Sequence, residues 1–323
     1  MIEENILNFN KQFSWEPKIE NQKGLTLDLQ KGRTLVLGMG GSHLGADILN
    51  SYDPELNLAV HSDYGLPKNV SKDDLVIASS YSGNTEEVID GLNQALKEGL
   101  TAAVIASGGK LLEMAKEKGL PYIQLPTGHQ PRLSIGFQVK ALAKLLGHQT
   151  ALEEISRLAE KLNPGEFEEK GRELAEKAKG KIPMIYTSQA NFALAYNWKI
   201  KFNESGKVPA FYNVFPELNH NEMNGFLSQG STLDLQKGRT FIFLILTDAE
   251  DHPRIQKRMT VMTELFRRKN WPVETIGLAG EGRWQRIFSS LLTADWAAYF
   301  TAKQLGLDPE NIPLVEEFKK LIR

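Results

Sequence analysis

Three short hydroxyl side chains surround one glycine in Ser80-Tyr81-Ser82-Gly83-Asn84-Thr85. Such a group suits the oxygens of a monophosphate. The preceding run, Asp74-Leu75-Val76-Ile77-Ala78-Ser79, reads as a buried parallel strand. The following run, Glu86 to Leu96, places Val88, Leu92 and Leu96 at helical spacing, with Ile89 and Ala95 beside them. The hydroxyls therefore fall on a strand-to-helix turn. Free backbone N–H groups and the positive end of the helix dipole attract an anion there. A lone Ser or Thr could simply cap the helix. Three of them with Gly83 favour phosphate binding.

A second loop, Leu37-Gly38-Met39-Gly40-Gly41-Ser42-His43-Leu44-Gly45, follows another apolar run. Its glycines miss the dinucleotide spacing. From Gly38 and Gly40 the third glycine position is His43, and from Gly40 the second is Ser42. A tight turn and a ligand-facing loop both remain open. In an open parallel sheet ligands lie beyond the carboxyl ends of the strands, so this loop and Ser80–Thr85 can face one ligand. A third loop, Pro126 to Ser134, contains Pro131 and Arg132. A permanently charged guanidinium suits an oxyanion or phosphate, and a surface arginine is the plain alternative.

The second half holds Lys201-Phe202-Asn203-Glu204-Ser205-Gly206-Lys207, then Glu217-Leu218-Asn219-His220-Asn221-Glu222. Glu204 falls at a helix end and His220 in a polar loop, settings ordinary for general acid–base groups. Glu217, His220 and Glu222 could in principle bind a metal. No second histidine, His-Glu-x-x-His arrangement or cysteine supports one, so neither metal nor cofactor is expected. His43, His61, His129, His148 and His252 read as loop, core-edge or surface residues, and of these His129 is the one expected near the site. Lys319 and Lys320 close an amphipathic helix, where a favourable meeting with the helix dipole is the plain reading.

These groups need a scaffold. Strands are predicted at 34–37, 58–61, 75–79, 102–106 and 122–125, and helices at 42–52, 86–98, 110–118, 134–146 and 151–162. Asn163-Pro164-Gly165 breaks the pattern. We place the domain boundary there, giving domains 1–162 and 163–323. The second domain predicts strands at 184–187, 210–213, 240–246 and 273–276. Its helices fall at 167–179, 190–203, 252–268, 282–305 and 312–322. Strands alternating with helices imply an α/β fold, each domain a mostly parallel central sheet between helical layers. Two halves of similar size suggest internal duplication. The nonapeptide Thr26–Thr34 recurs unchanged as Thr232–Thr240. We read it as a turn that launches a strand and give it no chemistry.

Bulk composition narrows the class. The 323 residues include no cysteine, so disulfides and thiolate chemistry are excluded and a reducing compartment fits. No secretory signal or membrane-length apolar run is visible. A net charge of −2 argues against a broad nucleic-acid footprint. A cytoplasmic protein, with no nucleic-acid or membrane partner, is expected.

The Gly-Gly-Ser loop and the hydroxyl loop on two αβ halves resemble the sugar isomerase (SIS) fold. Pro131-Arg132, Asn203-Glu204-Ser205, Glu217 to Glu222 and the closing helix with Phe318-Lys319-Lys320 further resemble the bifunctional phosphoglucose/phosphomannose isomerase family. The resemblance runs from about Leu25 to the end. It implies two αβα sandwich domains plus a C-terminal helix. It also implies interconversion of glucose 6-phosphate or mannose 6-phosphate with fructose 6-phosphate. Ser80, Ser82 and Thr85 would hold the phosphate, while Gly40, Gly41, Ser42 and Pro131 would line the sugar. Glu204 would move the proton between C1 and C2, and Arg132 would stabilise the enediolate. His220, supplied by the partner of a homodimer, would assist ring opening together with Lys319. Other members of the fold act on other sugar phosphates, or sense a sugar phosphate without catalysis.

Overall fold

Short apolar runs between helices build two parallel sheets. The computed structural model describes residues 2–21, 32–56, 58–226 and 240–322. The chain forms two compact units, Asn8–Leu162, and Met1–Leu7 together with Asn163–Arg323. Helix α1 (Ile2–Leu7) thus belongs with the C-terminal unit, whereas the sequence assigns it to the first domain. Ile2 and Ile6 are buried, and the Tyr299 hydroxyl donates to the Glu3 carboxylate at 2.5 Å.

The first sheet contains β1 (Thr34–Leu37), β2 (Leu58–His61), β3 (Leu75–Ser80), β4 (Thr101–Ala106) and β5 (Tyr122–Gln124). Their order is β2-β1-β3-β4-β5, and every pairing is parallel. β1 and β3 are buried along their whole length, as strands covered on both faces must be. Helices α2 (Leu44–Tyr52), α3 (Glu86–Lys97), α4 (Gly109–Lys118) and α5 (Ile135–Leu145) belong to this unit. Leu35, Leu37, Val76 and Ala78 of the sheet share one core with Val88 and Leu92 of α3. The predicted helix 151–162 is instead two pieces, α6 (Gln149–Ser156) and α7 (Leu158–Lys161). At the break the Ser156 hydroxyl donates back to Leu152 O (2.7 Å) while accepting from Lys140 Nζ (2.8 Å).

The second unit carries α8 (Glu168–Ala178), β6 (Lys181–Ser188), α9 (Phe192–Glu204) and β7 (Phe211–Phe215). It continues with β8 (Thr240–Thr247), α10 (Pro253–Arg268), β9 (Val273–Gly277), α11 (Gly282–Gln304) and α12 (Pro313–Leu321). The strand order is β7-β6-β8-β9, again parallel. Both sheets thus share the order second-first-third-fourth in their own chain order, the first adding a fifth strand, an arrangement that fits a duplication. One face of the second sheet is aromatic. Phe243 lies 4.5 Å from Phe266 and 4.9 Å from Phe226, ring to ring. α8 crosses α11 closely because Gly171 has no side chain. A Cβ there would lie 2.3 Å from the Trp296 Cβ.

Among the described residues no helix is long and apolar enough to cross a membrane. Of the repeated nonapeptide, only Gly32 to Thr34 and Thr240 lie within the described residues. Arg33 has a defined role there. Its backbone N–H and guanidinium both bond the Asp74 carboxylate, at 3.2 and 3.0 Å.

Candidate functional site

The order β2-β1-β3 makes a topological switch point between the carboxyl ends of β1 and β3, where open α/β sheets bind ligands. Both sequence-identified loops leave from these two ends. The Ser80 and Thr85 hydroxyls lie 2.7 Å apart, and the Gly83 N–H donates to Ser80 Oγ at 3.2 Å. Ser82 is exposed, its Oγ accepting from the Asn84 N–H at 3.2 Å. Thr85 occupies the N-cap position of α3, yet its side chain makes no capping bond. Simple capping therefore does not account for these hydroxyls. Gly83 is needed on two counts. Its φ is +69°, and a Cβ would lie 1.8 Å from Gly108 O. The start of α4 braces the loop, since the Leu111 N–H donates to Gly83 O and the Lys110 N–H to Asn84 Oδ1.

Gly40–Ser42 forms a tight 3-10 turn ahead of α2, in place of the helix start predicted at Ser42. The reason is that Ser42 is bound to β3. Its Oγ accepts the Tyr81 N–H (3.0 Å) and its carbonyl accepts from Ser79 Oγ (2.8 Å). A Cβ on Gly41 would stand 3.1 Å from the Pro131 carbonyl carbon, so the glycine lets the third loop approach. Arg132 in that loop is 1% exposed, which removes the surface-arginine alternative. Its Nη1 lies 3.4 Å from Gln130 Oε1.

Tyr81, which the sequence reading passed over, ties the three loops together. Besides its N–H bond to Ser42, its carbonyl accepts from Ser107 Oγ (2.6 Å). Its hydroxyl donates to Pro126 O (2.8 Å) and accepts the His129 N–H (3.0 Å). Burial pushes the phenol pKa up, so it remains a donor. Burial pushes His129 down, favouring the neutral imidazole. His43, read from the sequence as a loop, core-edge or surface residue, has a more defined setting. It is buried beside the Gly-Gly-Ser turn, its Nδ1 2.7 Å from Asp47 Oδ2. The spacing of four residues, one helical turn, is a local signal that could have revealed it.

In the second unit Glu204 is the last residue of α9 and half-buried. A fully buried ion pair docks this helix on α11, with Lys201 Nζ 2.5 Å from Asp295 Oδ1. The Trp198 indole adds a bond to Ser290 Oγ (3.0 Å). Glu204 lines a cavity of about 660 Å³. Lys199, Asn203, Glu204 and Lys207 form its polar side, and Phe211, Pro313 and Leu314 part of its apolar side.

His220 ends a short 3-10 turn and is exposed. The segment around it is pinned down. Leu218 and Phe226 are buried in the aromatic core. Glu222 accepts from the Tyr186 hydroxyl at 2.5 Å and from the Asn213 amide. Burial, and then Glu222 itself, push the Tyr186 pKa far up and keep the phenol a donor. Glu217 accepts from the Asn221 amide at 2.8 Å. Both acids of this motif therefore serve the loop's own architecture. Lys319 and Lys320 lie on α12, exposed, and no residue of that helix is buried.

The second sheet has its own switch point, between β6 and β8, and it is built differently. Asp248 pairs with Arg283 (2.7 Å) and lies 3.6 Å from Arg286. The buried Asn191 amide bridges Asp248 and Asp251 at 3.4 and 3.3 Å. Burial pushes the Asp251 pKa up, with the Asp248 charge adding to it. Carboxylates thus occupy the position that hydroxyls hold in the first sheet.

Residues 167–322 match the model of the bacterial phospho-glucose isomerase C-terminal SIS domain. The chain is 33% identical to a bifunctional phosphoglucose/phosphomannose isomerase of Aquifex aeolicus, over 98% of this chain and 97% of that one. It is 33% identical to another of that description from Caldicellulosiruptor bescii, over 89% and 88% of the two chains. Among solved structures it resembles glucosamine-6-phosphate deaminase of Thermotoga maritima. The TM-score is 0.68 at 17% identity, covering 97% of both chains. That likeness supports the fold alone.

Proposed function

Because the chain belongs to the bifunctional phosphoglucose/phosphomannose isomerase family, we propose that it interconverts glucose 6-phosphate and mannose 6-phosphate with fructose 6-phosphate. The observation that carries the reading in this molecule is the uncapped Ser80–Thr85 hydroxyl pair at the switch point of the first sheet. Ser80, Ser82 and Thr85 would receive the phosphate, and Gly40, Gly41, Ser42 and Pro131 would border the sugar. The phosphate does not react. It supplies binding energy that places the reacting carbons.

Glu204 acts as the base. It takes the C2 proton of the open aldose and returns it to C1, leaving a cis-enediolate in between. A positioned base contributes about 10²–10⁴ in rate. Charge develops on the C1 and C2 oxygens, where one fixed donor such as Arg132 is worth about 10²–10³. The buried guanidinium of Arg132 supports that role. His220 assists ring opening, with Lys319 beside it in the scheme. In the reverse direction, return of the proton to C2 on either face of the enediolate, after rotation of the sugar, gives both epimers from one site. The proton transfers need no metal, since carboxylate and guanidinium carry the charge.

We further propose a homodimer, in which His220 serves the partner's substrate, and a cytoplasmic location. The apolar row of α12 supports the dimer. Leu314 and Leu321 are each 78% exposed and Phe318 is 60% exposed. Fructose 6-phosphate incubated with the protein and EDTA, both aldoses being followed, tests the reaction. Turnover to glucose and mannose 6-phosphates is expected. A protein that binds fructose 6-phosphate without turning it over would be a sensor instead.

A further inference from the structure

Lys207 has a backbone that lysine rarely adopts, and its side chain joins two elements. Its φ is +59°, in the left-handed region. The neighbouring Gly206 does not take up that strain. Gly206 answers a different need, since a Cβ there would meet Phe202 O at 2.7 Å. Val208 N–H then closes the end of α9 onto Phe202 O at 3.2 Å. The Lys207 ammonium donates to Glu204 O at 2.5 Å, the last carbonyl of α9. It also donates to Asn311 O, shortly before α12 begins at Pro313. Asn311 is itself fixed, its amide donating to Asp308 Oδ2 at 2.5 Å. One cation therefore bonds the helix end that carries Glu204 and the chain entering the C-terminal helix. A strained backbone persists where surrounding interactions over-determine it. Within its own chain α12 buries no residue, so what the chain itself contributes to the helix's direction is its attachment at this end.

We infer that Lys207 is a positioning residue that fixes the departure of α12 from the end of α9, and with it the placement of Lys319 relative to Glu204. Lys207 holds main-chain carbonyls and takes no part in proton transfer. The kinetic side of this inference rests on the isomerase reading, whereas the structural side does not.

The test compares Lys207→Met, which keeps the stem and removes the ammonium, with Lys207→Arg, which keeps a charged donor. Hydrogen exchange of the 313–321 amides is expected to accelerate at least fivefold in Lys207→Met, with the sheet amides unchanged. For fructose 6-phosphate, kcat is expected to fall at least tenfold with KM within twofold. Lys207→Arg should recover both to within threefold. Should Lys207→Met not fold, Lys207→Ala, which also removes the ammonium, takes the same measurements. Unchanged exchange across 313–321 would overturn the inference. So would a rise in KM at constant kcat, which would make Lys207 a substrate contact. If the wild-type protein turns over neither aldose, the isomerase reading fails on its own and the exchange arm still decides the role of Lys207.

Discussion

The Ser80 and Thr85 hydroxyls bond each other at 2.7 Å at the mouth of α3, so the N-cap threonine leaves the first turn of its own helix without a side-chain cap. An arriving phosphate can replace that mutual bond with stronger charge-assisted ones. Thr85→Val keeps the shape and removes the hydroxyl. A hydrogen bond to a charged group is worth about 1.5–3 kcal/mol. The KM for fructose 6-phosphate should therefore rise about 10- to 100-fold, with kcat little changed. Steady-state kinetics checks this, and a KM within twofold of wild type would place the phosphate elsewhere.

Glu204→Gln should lower kcat by about 10²–10⁴ while sugar-phosphate binding stays within a few-fold. Calorimetric titration of the variant separates the two effects. Near-normal turnover would remove Glu204 from the role of base.

Subunit exchange tests His220. Glu204→Gln and His220→Ala proteins, each nearly inactive, are mixed under conditions that exchange subunits. If His220 serves the partner's substrate, a heterodimer has one site with both defects and one with neither. Activity should then return toward one quarter of the wild-type level for random pairing of equal amounts. No recovery, with exchange verified by mass, would put His220 in its own chain's site.

The acid stability of the first unit should depend on Asp74. Burial alone would raise its pKa, but bonds from the Ser71 N–H and from the Arg33 side chain and backbone outweigh it and hold the carboxyl below its ordinary value. The folded state therefore binds this proton less readily than the unfolded state does. The resulting stability is present above the ordinary carboxylate pKa and is lost as pH falls through the lowered folded value. Asp74→Asn should cost about 2 kcal/mol at neutral pH. It should also flatten the acid limb of a urea-midpoint profile against pH. An equal loss at every pH would rule out linkage through Asp74.

Lys201→Met should be costly, because it leaves the Asp295 carboxylate buried 1% exposed without its cation. Breaking such a pair from one side costs about 3–5 kcal/mol. Adding Asp295→Leu should recover most of this, since an apolar pair of similar volume is close to neutral. Urea unfolding of the single and double variants measures both, and equal stability of the two would refute the reasoning.

Most of the scaffold was legible because its signals are local. Leu75–Ala78 is apolar throughout, and Val88 and Leu92 mark one helical face, so β3 and α3 could be placed from short windows. The loops followed, since Gly83 and Gly41 stand where backbone or neighbouring chain approaches closely. Apart from the local His43–Asp47 pair, what escaped was set by long-range pairing. Lys201 meets Asp295, Tyr186 meets Glu222, and Tyr81 reaches Pro126 and His129. No window of a dozen residues contains both partners. Arg132 illustrates the same limit. Its charge was visible at once, but its burial depends on the loops folded around it.

The carboxylates at the switch point of the second sheet have a consequence for stoichiometry. Two sheets of like strand order offer two crevices, yet an anion reaching the second would meet Asp248 and Asp251, with Arg283 already engaged by Asp248. The molecule therefore repeats the strand order of the scaffold without repeating the anion receptor. A sugar phosphate titrated into the protein should saturate at one molecule per chain, and the second crevice should add no weaker phase.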